Sequence, residues 1–177
     1  MGRALGTIAA TAAVLLSLSA CSGSDGDDDS GSGDEPSAEI SSTLSPREDK
    51  AAITAAIADY DKALVGFNDA QEVTDDLAAV TTEQWAGSLL TNYEDNLFSN
   101  DQQMIGRWRT IVGVITLDGN EAEARVCNDG SKVFVVDRGS DSTRGAQPRG
   151  RAPGTVALVL EEDGWKVDGY AVTDGLC

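Results

Sequence analysis

The side chains that could carry out proton chemistry in this sequence are carboxylates and tyrosines, because the chain contains no histidine. Its absence removes the commonest general base, the Ser–His and Cys–His nucleophile pairs and most zinc sites. Acids stand beside two tyrosines in stretches with helical spacing: Asp59 and Asp61 flank Tyr60, and Glu94 and Asp95 follow Tyr93. Successive residues on a helix point about 100° apart. We therefore expect these acids to lie mostly on the solvent face.

The charge of the chain limits its partners. The formal net charge is −17, and residues 47–177 alone hold 23 acidic and 12 basic residues. Nucleic acid is not expected as a partner, because phosphate binding requires clustered Lys and Arg. The simplest interpretation of the acidity is solubility and self-repulsion.

The elements that would position these residues are helices in the first half of the domain. Ser45, Pro46 and Glu48 form the capping-box pattern of a helix start. Apolar spacings of three and four predict a helix that ends between Phe67 and Ala70. A short helix over 74–80 and a second clear helix from about Thr82 follow. The two apolar rows are Ile53, Ile57, Tyr60, Leu64 and Phe67, and then Trp85, Leu89, Tyr93 and Leu97.

From Met104 the pattern changes to strands and tight turns. We predict strands over 104–117, 121–127 and 132–137, with turns at Asp118–Asn120 and at Asn128–Gly130. A loop rich in Gly, Pro and Arg covers 139–153, and a hairpin over 155–173 turns at Asp163 and Gly164. Helices followed by hairpin-linked strands predict an α+β fold with an antiparallel sheet.

Residues 1–20 have the pattern of a secretory signal peptide, with Arg3 followed by an apolar stretch and small residues. The stretch is too short and too rich in Ala, Gly and Thr for a membrane span. Leu18-Ser19-Ala20-Cys21 resembles the lipobox of bacterial lipoproteins, in which the cysteine is acylated and the chain is cut before it. The resemblance implies a lipid anchor at Cys21 on the extracytoplasmic face of a bacterial cell membrane. A plain secreted protein, cut at an ordinary signal-peptidase site, is the alternative.

Residues 21–45 form a linker between the anchor and the domain. They are mostly Ser, Gly, Asp and Glu, a composition typical of disorder. A calcium loop of the EF-hand type is excluded, since it needs Gly at the sixth position and Glu at the twelfth, where this chain has Ser30 and Pro36. The segment is therefore interpreted as a solvated spacer, and residues 46–177 as the folded domain.

The order of elements in this domain, with its closing EEDGWKVDGYAVTDGLC, resembles the small cone-shaped domains of the nuclear transport factor 2-like superfamily. It resembles most those of actinobacterial-type lipoproteins. In these, a DG-W-V pattern precedes a terminal cysteine that pairs with a cysteine after the second strand. The corresponding residues are Trp165, Cys127 and Cys177. The resemblance implies N-terminal helices packed on a curved antiparallel sheet of cystatin-like type.

Cys127 and Cys177 are the only thiols of the domain, and export would place them in an oxidising compartment. The resemblance implies that they form a disulfide. A redox pair would normally show C-x-x-C spacing, and a metal site would need more soft ligands. No metal and no cofactor are expected.

The resemblance also implies a pocket between the helices and the concave sheet. The candidate lining residues are Tyr60, Trp85, Tyr93, Trp108 and Phe134. Aromatic residues at helical or strand spacing are more often core than ligand contacts. Superfamily enzymes use an Asp or His–Asp base with an oxyanion donor, often Tyr. A small isomerase or dehydratase that uses Asp or Glu with Tyr is therefore the alternative function. We expect instead a non-catalytic, lipid-anchored module that binds an unknown envelope protein or a small apolar ligand.

Four arginines gather around the long loop of an otherwise acidic domain: Arg138, Arg144, Arg149 and Arg151. Such a patch could bind an anionic headgroup, a wall polymer or an acidic partner. The alternative is that these arginines pair with acids of the protein itself.

Overall fold

The computed structural model describes residues 44–177, so the signal peptide, Cys21 and the linker up to residue 43 lie outside the described residues. Three helices and a short 3₁₀ turn precede five strands. The helices are α1 (Pro46–Ala70), α2 (Asp75–Val80) and α3 (Glu83–Asn96), and the 3₁₀ turn is Phe98–Asn100. The strands are β1 (Gln102–Gly106), β2 (Arg109–Asp118), β3 (Glu121–Asp137), β4 (Pro148–Glu161) and β5 (Gly164–Val172).

Both ends of α1 are determined locally. The Ser45 backbone N–H donates to the Glu48 carboxylate at 2.9 Å, as expected of a capping box, and the Ser45 hydroxyl donates to the same carboxylate at 2.6 Å. Pro46 occupies the first helical position. The helix ends at Ala70, and Gln71 follows in the left-handed conformation with φ 57°. The predicted extent of this helix is confirmed.

The connection between α2 and α3 is attached to the sheet. The Thr82 backbone N–H donates to the Val167 carbonyl at 3.0 Å, and Thr81 forms an isolated bridge with the same residue. The Thr82 hydroxyl accepts from the Trp85 N–H at 3.2 Å and so caps α3. This attachment determines where α3 lies relative to β5.

The sheet is antiparallel, with the order β1-β3-β4-β5, and β2 pairs with the first half of β3. Register shifts interrupt the β2–β3, β3–β4 and β4–β5 ladders. Such irregularities bend strands and increase their twist, which gives the strong curl of this sheet. The expected α+β architecture, helices on a curved antiparallel sheet, is confirmed.

Three strand boundaries differ from the sequence prediction. The turn predicted at Asn128–Gly130 is wrong, because β3 runs through these residues: it pairs with β2 up to Asp129 and with β1 from Val133 onward. The strand predicted over 104–117 is two strands, which separate at Gly106, where φ is +102°. The predicted loop over 139–153 ends earlier, since β4 begins at Pro148.

The core lies between α1 and the concave face of the sheet. Ile53, Phe67, Ala124, Val156 and Val167 have no exposed surface. Full burial of a large aliphatic or aromatic side chain stabilises a fold by about 1.5–3 kcal/mol, and the two faces are packed in one continuous cluster. Among residues 44–177, no helix has both the length and the hydropathy needed to cross a bilayer.

Candidate functional site

A cavity of about 870 Å³ opens between α1, α3 and the concave face of the sheet. This volume lies within the range of small-molecule sites, about 300–1,000 Å³. Most of its wall is aromatic or aliphatic, and its polar groups come from α1, α3 and four of the strands. The side chains that carry the argument below are Tyr60, Asp61, Trp85, Tyr93, Trp108, Thr110, Asn128, Arg149, Tyr170 and Val172.

Four of the five predicted aromatic residues line this cavity, namely Tyr60, Trp85, Tyr93 and Trp108. The Trp85 indole N–H donates to the Tyr60 hydroxyl at 3.3 Å, which joins α3 to α1. Tyr93 packs edge-on against Phe67 with ring centroids 5.0 Å apart. The helix-derived aromatic wall is thus supported by the core behind it.

The fifth predicted residue, Phe134, does not line the cavity, and the prediction is wrong at this position. Successive side chains on a strand point to opposite faces, and in β3 it is the adjacent Val135 that faces the cavity. Trp108 reaches the cavity from the short break between β1 and β2. Its ring packs over Gly130 of β3, where any added Cβ would overlap the ring.

Tyr170 is a cavity residue that sequence reasoning missed. Simple alternation from Val167 along β5 would place Gly169 inward and Tyr170 outward. The β4–β5 ladder, however, pairs Leu158 with Val167 and Ala157 with Gly169, so Asp168 is an extra residue on β5. This bulge reverses the alternation, and Tyr170 lies opposite the fully buried Val156.

Asp61 was expected on the solvent face of α1, but the structure places it against β2. Its carboxylate accepts two hydrogen bonds from Thr110 of β2, from the backbone N–H at 2.7 Å and from the hydroxyl at 2.8 Å. Asp61 lies four residues after Ile57 and three before Leu64, so it shares their face of α1. The spacing of Asp61 from the apolar residues of the helix could therefore have identified it in the sequence as an inward-facing acid.

The other three acids lie on the solvent face, as predicted. Asp59, Glu94 and Asp95 are exposed, and Asp59 pairs with Lys62 at 2.6 Å. Only the third residue of the Asp59-Tyr60-Asp61 triplet turns its carboxylate to the sheet.

The buried position of these groups changes their acidity. Burial raises the pKa of Asp61 above its usual value, although both hydrogen bonds from Thr110 oppose the rise. Burial raises the pKa of Tyr170 to about 12, and the charge of Asp61 adds to it. Burial raises the pKa of Tyr93 to about 12 as well. These phenols therefore remain protonated at neutral pH and can donate hydrogen bonds.

Two buried polar atoms of the cavity wall have no hydrogen-bond partner, the Asn128 side-chain oxygen and the Tyr170 hydroxyl. Asn128 lies close enough to Tyr170 to oppose the rise of its pKa, but the contact lacks hydrogen-bond geometry. Asn128 is also the register partner of Thr110. We call Asp61, Thr110, Asn128 and Tyr170 the polar end of the cavity.

The four arginines of the predicted anion patch have different surroundings. Arg138 pairs with Asp101 at 3.2 Å and donates to the Phe98 carbonyl at 2.9 Å. Arg151 pairs with Asp129 at 3.0 Å. Arg144 is exposed in the loop before β4. Arg149, exposed near the start of β4, is the one that reaches the cavity wall.

The disulfide between Cys127 and Cys177 is present, with Cα atoms 5.7 Å apart. It attaches the last residue to β3, next to Asn128. The Thr173 N–H also donates to the Pro153 carbonyl at 2.9 Å. Within residues 44–177, no group of three or more Cys, Asp or Glu side chains is placed to hold a metal ion.

No protein-family model and no curated protein matches the sequence. Solved structures do match it. A proposed aromatic ring hydroxylase from Novosphingobium aromaticivorans is 17% identical with a TM-score of 0.49, over 76% of this chain and 94% of that one. Rv3472 of Mycobacterium tuberculosis, of unknown function, is 16% identical with a TM-score of 0.49, over 76% and 78%.

A third structure is an NTF2-like protein with a cystatin-like fold, also from Novosphingobium aromaticivorans. It is 16% identical with a TM-score of 0.41, over 73% of this chain and 84% of that one.

Proposed function

We propose that this protein is a lipid-anchored module that binds a small, largely apolar ligand in the cavity, on the extracytoplasmic face of a bacterial membrane. One observation favours a bound ligand most directly: Asn128 and Tyr170 each leave a buried polar atom without a partner in a cavity whose wall is mostly aromatic or aliphatic. A buried polar group without a hydrogen bond costs about 1–3 kcal/mol. A ligand that satisfies both atoms would recover that free energy.

The binding step is tested by closing the mouth of the cavity. Val172 is 61% exposed and lines the cavity, whereas Val114 is 65% exposed on β2 and lies outside it. We expect the full chain with Cys21→Ala to bind the neutral probe naphthylethanol in isothermal titration calorimetry. Val172→Trp should weaken this binding by about tenfold or more, because the indole would occupy the entrance.

The matched control is Val114→Trp, which adds the same side chain at an equally exposed site. It should bind the probe as the parent does. Equal weakening in both variants, or no heat of binding in the parent, would contradict the proposal.

The anchor is tested separately at Cys21, which lies outside the described residues. A single acyl chain holds a protein only marginally on a membrane, while two anchor it stably. We expect the mature chain to begin at an acylated Cys21 by intact-mass analysis, and Cys21→Ala to leave the membrane fraction. Ser22→Ala, at the next position, should stay with the membrane. An unmodified mature chain that begins at Ala20 would refute lipid anchoring.

A second candidate function is a small enzyme that abstracts a proton next to a carbonyl. The observation in its favour is Asp61, a carboxylate with a raised pKa in the cavity that also holds the Tyr170 hydroxyl. Such a pair has the chemistry of a general base and an oxyanion donor. Against it, both oxygens of Asp61 already accept hydrogen bonds from Thr110.

This candidate is tested by hydrogen exchange into a probe ketone. An enzyme of this kind should accelerate deuterium exchange next to the carbonyl of tetralone in heavy water, as followed by NMR, and Asp61→Asn should abolish the acceleration. If the parent and Asp61→Asn give the same exchange rate, the protein does not catalyse this step.

A further inference from the structure

We infer that the ligand of this cavity is an organic amine, which binds in its protonated form with the ammonium group at the polar end and an apolar body against the aromatic walls. This inference rests on the proposed binding function and specifies the class of ligand. Three observations point to it: the acceptors of the polar end, the aromatic walls, and the distribution of charge.

At the polar end the Asp61 carboxylate and the Asn128 oxygen offer acceptors, and the Tyr170 hydroxyl can accept as well as donate. Both donors of Thr110, its N–H and its hydroxyl, are already used by Asp61. The Asn128 oxygen accepts only, and it is buried without a partner. An ionised carboxylate oxygen accepts more than one hydrogen bond, so Asp61 retains capacity beside Thr110. A ligand group that donates several hydrogen bonds therefore fits this end, since all three of these groups can accept from it.

The walls suit a positive group with an apolar body. Tyr60, Trp85, Tyr93, Trp108 and Tyr170 all line the cavity. Aromatic faces attract cations through their quadrupole, and they bury apolar groups equally well. A carboxylate among several aromatic rings thus supplies both the charge and the surfaces that an alkyl- or arylammonium ion requires.

The distribution of charge favours the same class. The domain has an excess of acids, which attracts cations and repels anions. Among the described lining residues, Arg149 is the one cationic side chain, and it is exposed. The unpartnered Asn128 oxygen is buried. An anionic ligand would therefore pair with an exposed guanidinium and leave the buried acceptor unsatisfied.

The experiment compares three probes that share one apolar body: naphthylethylamine, naphthylethanol and naphthylacetate. Each is titrated calorimetrically into the full chain with Cys21→Ala, at neutral pH and constant ionic strength. A charge-assisted hydrogen bond is roughly twice as strong as a neutral one. We therefore expect the amine to bind about tenfold more tightly than the alcohol, and the acetate to bind more weakly than the alcohol.

Asp61→Asn removes the charge at the polar end but retains a side-chain oxygen that can accept from Thr110. It should weaken amine binding by about tenfold and change alcohol binding by less than about twofold. The matched control is Asp59→Asn, which removes the same charge from the exposed face of the same helix. It should leave the preference for the amine unchanged.

Asn128→Ala provides a second route if Asp61→Asn fails to fold by circular dichroism, since it removes the carboxamide that carries the unpartnered acceptor and leaves Asp61 unchanged. It should weaken amine binding several-fold more than alcohol binding. Equal loss in Asp59→Asn and Asp61→Asn would show a long-range charge effect and overturn the inference.

The outcomes separate this inference from the function on which it rests. Alcohol or acetate binding as tight as amine binding overturns the ammonium assignment and leaves a ligand-binding cavity. If none of the three probes binds, the proposed binding function is itself contradicted.

Discussion

Asp61 at the polar end of the cavity depends on one hydrogen-bonding partner, Thr110. Thr110 donates to both carboxylate oxygens and thereby holds a partly buried charge in one orientation. A buried carboxylate without such partners would be strongly unfavourable. The residues that face Asp61 matter as much to the site as the carboxylate itself.

Thr110→Val tests this contact, because the two side chains have nearly the same shape and only the hydroxyl is lost. We expect the free energy of unfolding in urea to fall by about 1–2 kcal/mol, since one oxygen of a partly buried carboxylate loses its donor. Thr116→Val, at an exposed position of the same strand, is the control and should change stability by less than about 0.5 kcal/mol. Identical urea midpoints for the two variants would mean that the hydroxyl contributes nothing.

The break between β1 and β2 creates one wall of the cavity. Both strands pair with β3, and the residues between them bring Trp108 over Gly130. Only a residue without a side chain leaves room for the indole there. The glycine at this position therefore serves the packing of Trp108 rather than a turn.

Gly130→Ala should displace the Trp108 ring. We expect a loss of about 1–3 kcal/mol in unfolding free energy, as is typical of overpacking, and a shifted tryptophan emission. Gly66→Ala is the control, since it lies in α1 with no atom within 4 Å of the added Cβ. That variant should gain about 0.5–1 kcal/mol from helix propensity. Unchanged stability and emission in Gly130→Ala would show that the Trp108 ring can move aside without loss of stability.

The disulfide restrains a large part of the folded domain. It joins residues 50 positions apart and attaches the end of the chain to β3 beside Asn128. The segment between the two cysteines includes Arg149, Tyr170 and Val172 of the cavity wall. The cross-link thus restrains several residues of the proposed site at once.

Replacement of both cysteines, Cys127→Ser with Cys177→Ser, should lower the free energy of unfolding by up to about 4 kcal/mol, because a loop of this length loses its restraint in the unfolded chain. A lower Tm in calorimetry, reproduced in the parent by a reducing agent, is the expected result. Cys21→Ala should have no such effect, since Cys21 precedes the domain. A Tm that does not respond to reduction would contradict this role.

Local signals in the sequence determined the helices and the α+β class. The caps at Ser45 and Thr82 and the apolar rows of α1 and α3 depend on residues within a few positions of one another. Spacing alone therefore places Tyr60, Trp85 and Tyr93 on the apolar faces of these helices, whereas the pocket that they line was implied by the resemblance to cone-shaped domains. Cys127 and Cys177 could be paired because the domain has no other thiol.

Only the tertiary structure decided which residues complete the polar end of the cavity. Asp61 meets Thr110 from 49 positions away, β3 continues through Asn128 because each half has its own partner, and the bulge at Asp168 turns Tyr170 inward. Each depends on strand pairing between distant segments. Register and bulges are set by which strands meet and by how the sheet packs, and a local pattern does not encode that choice.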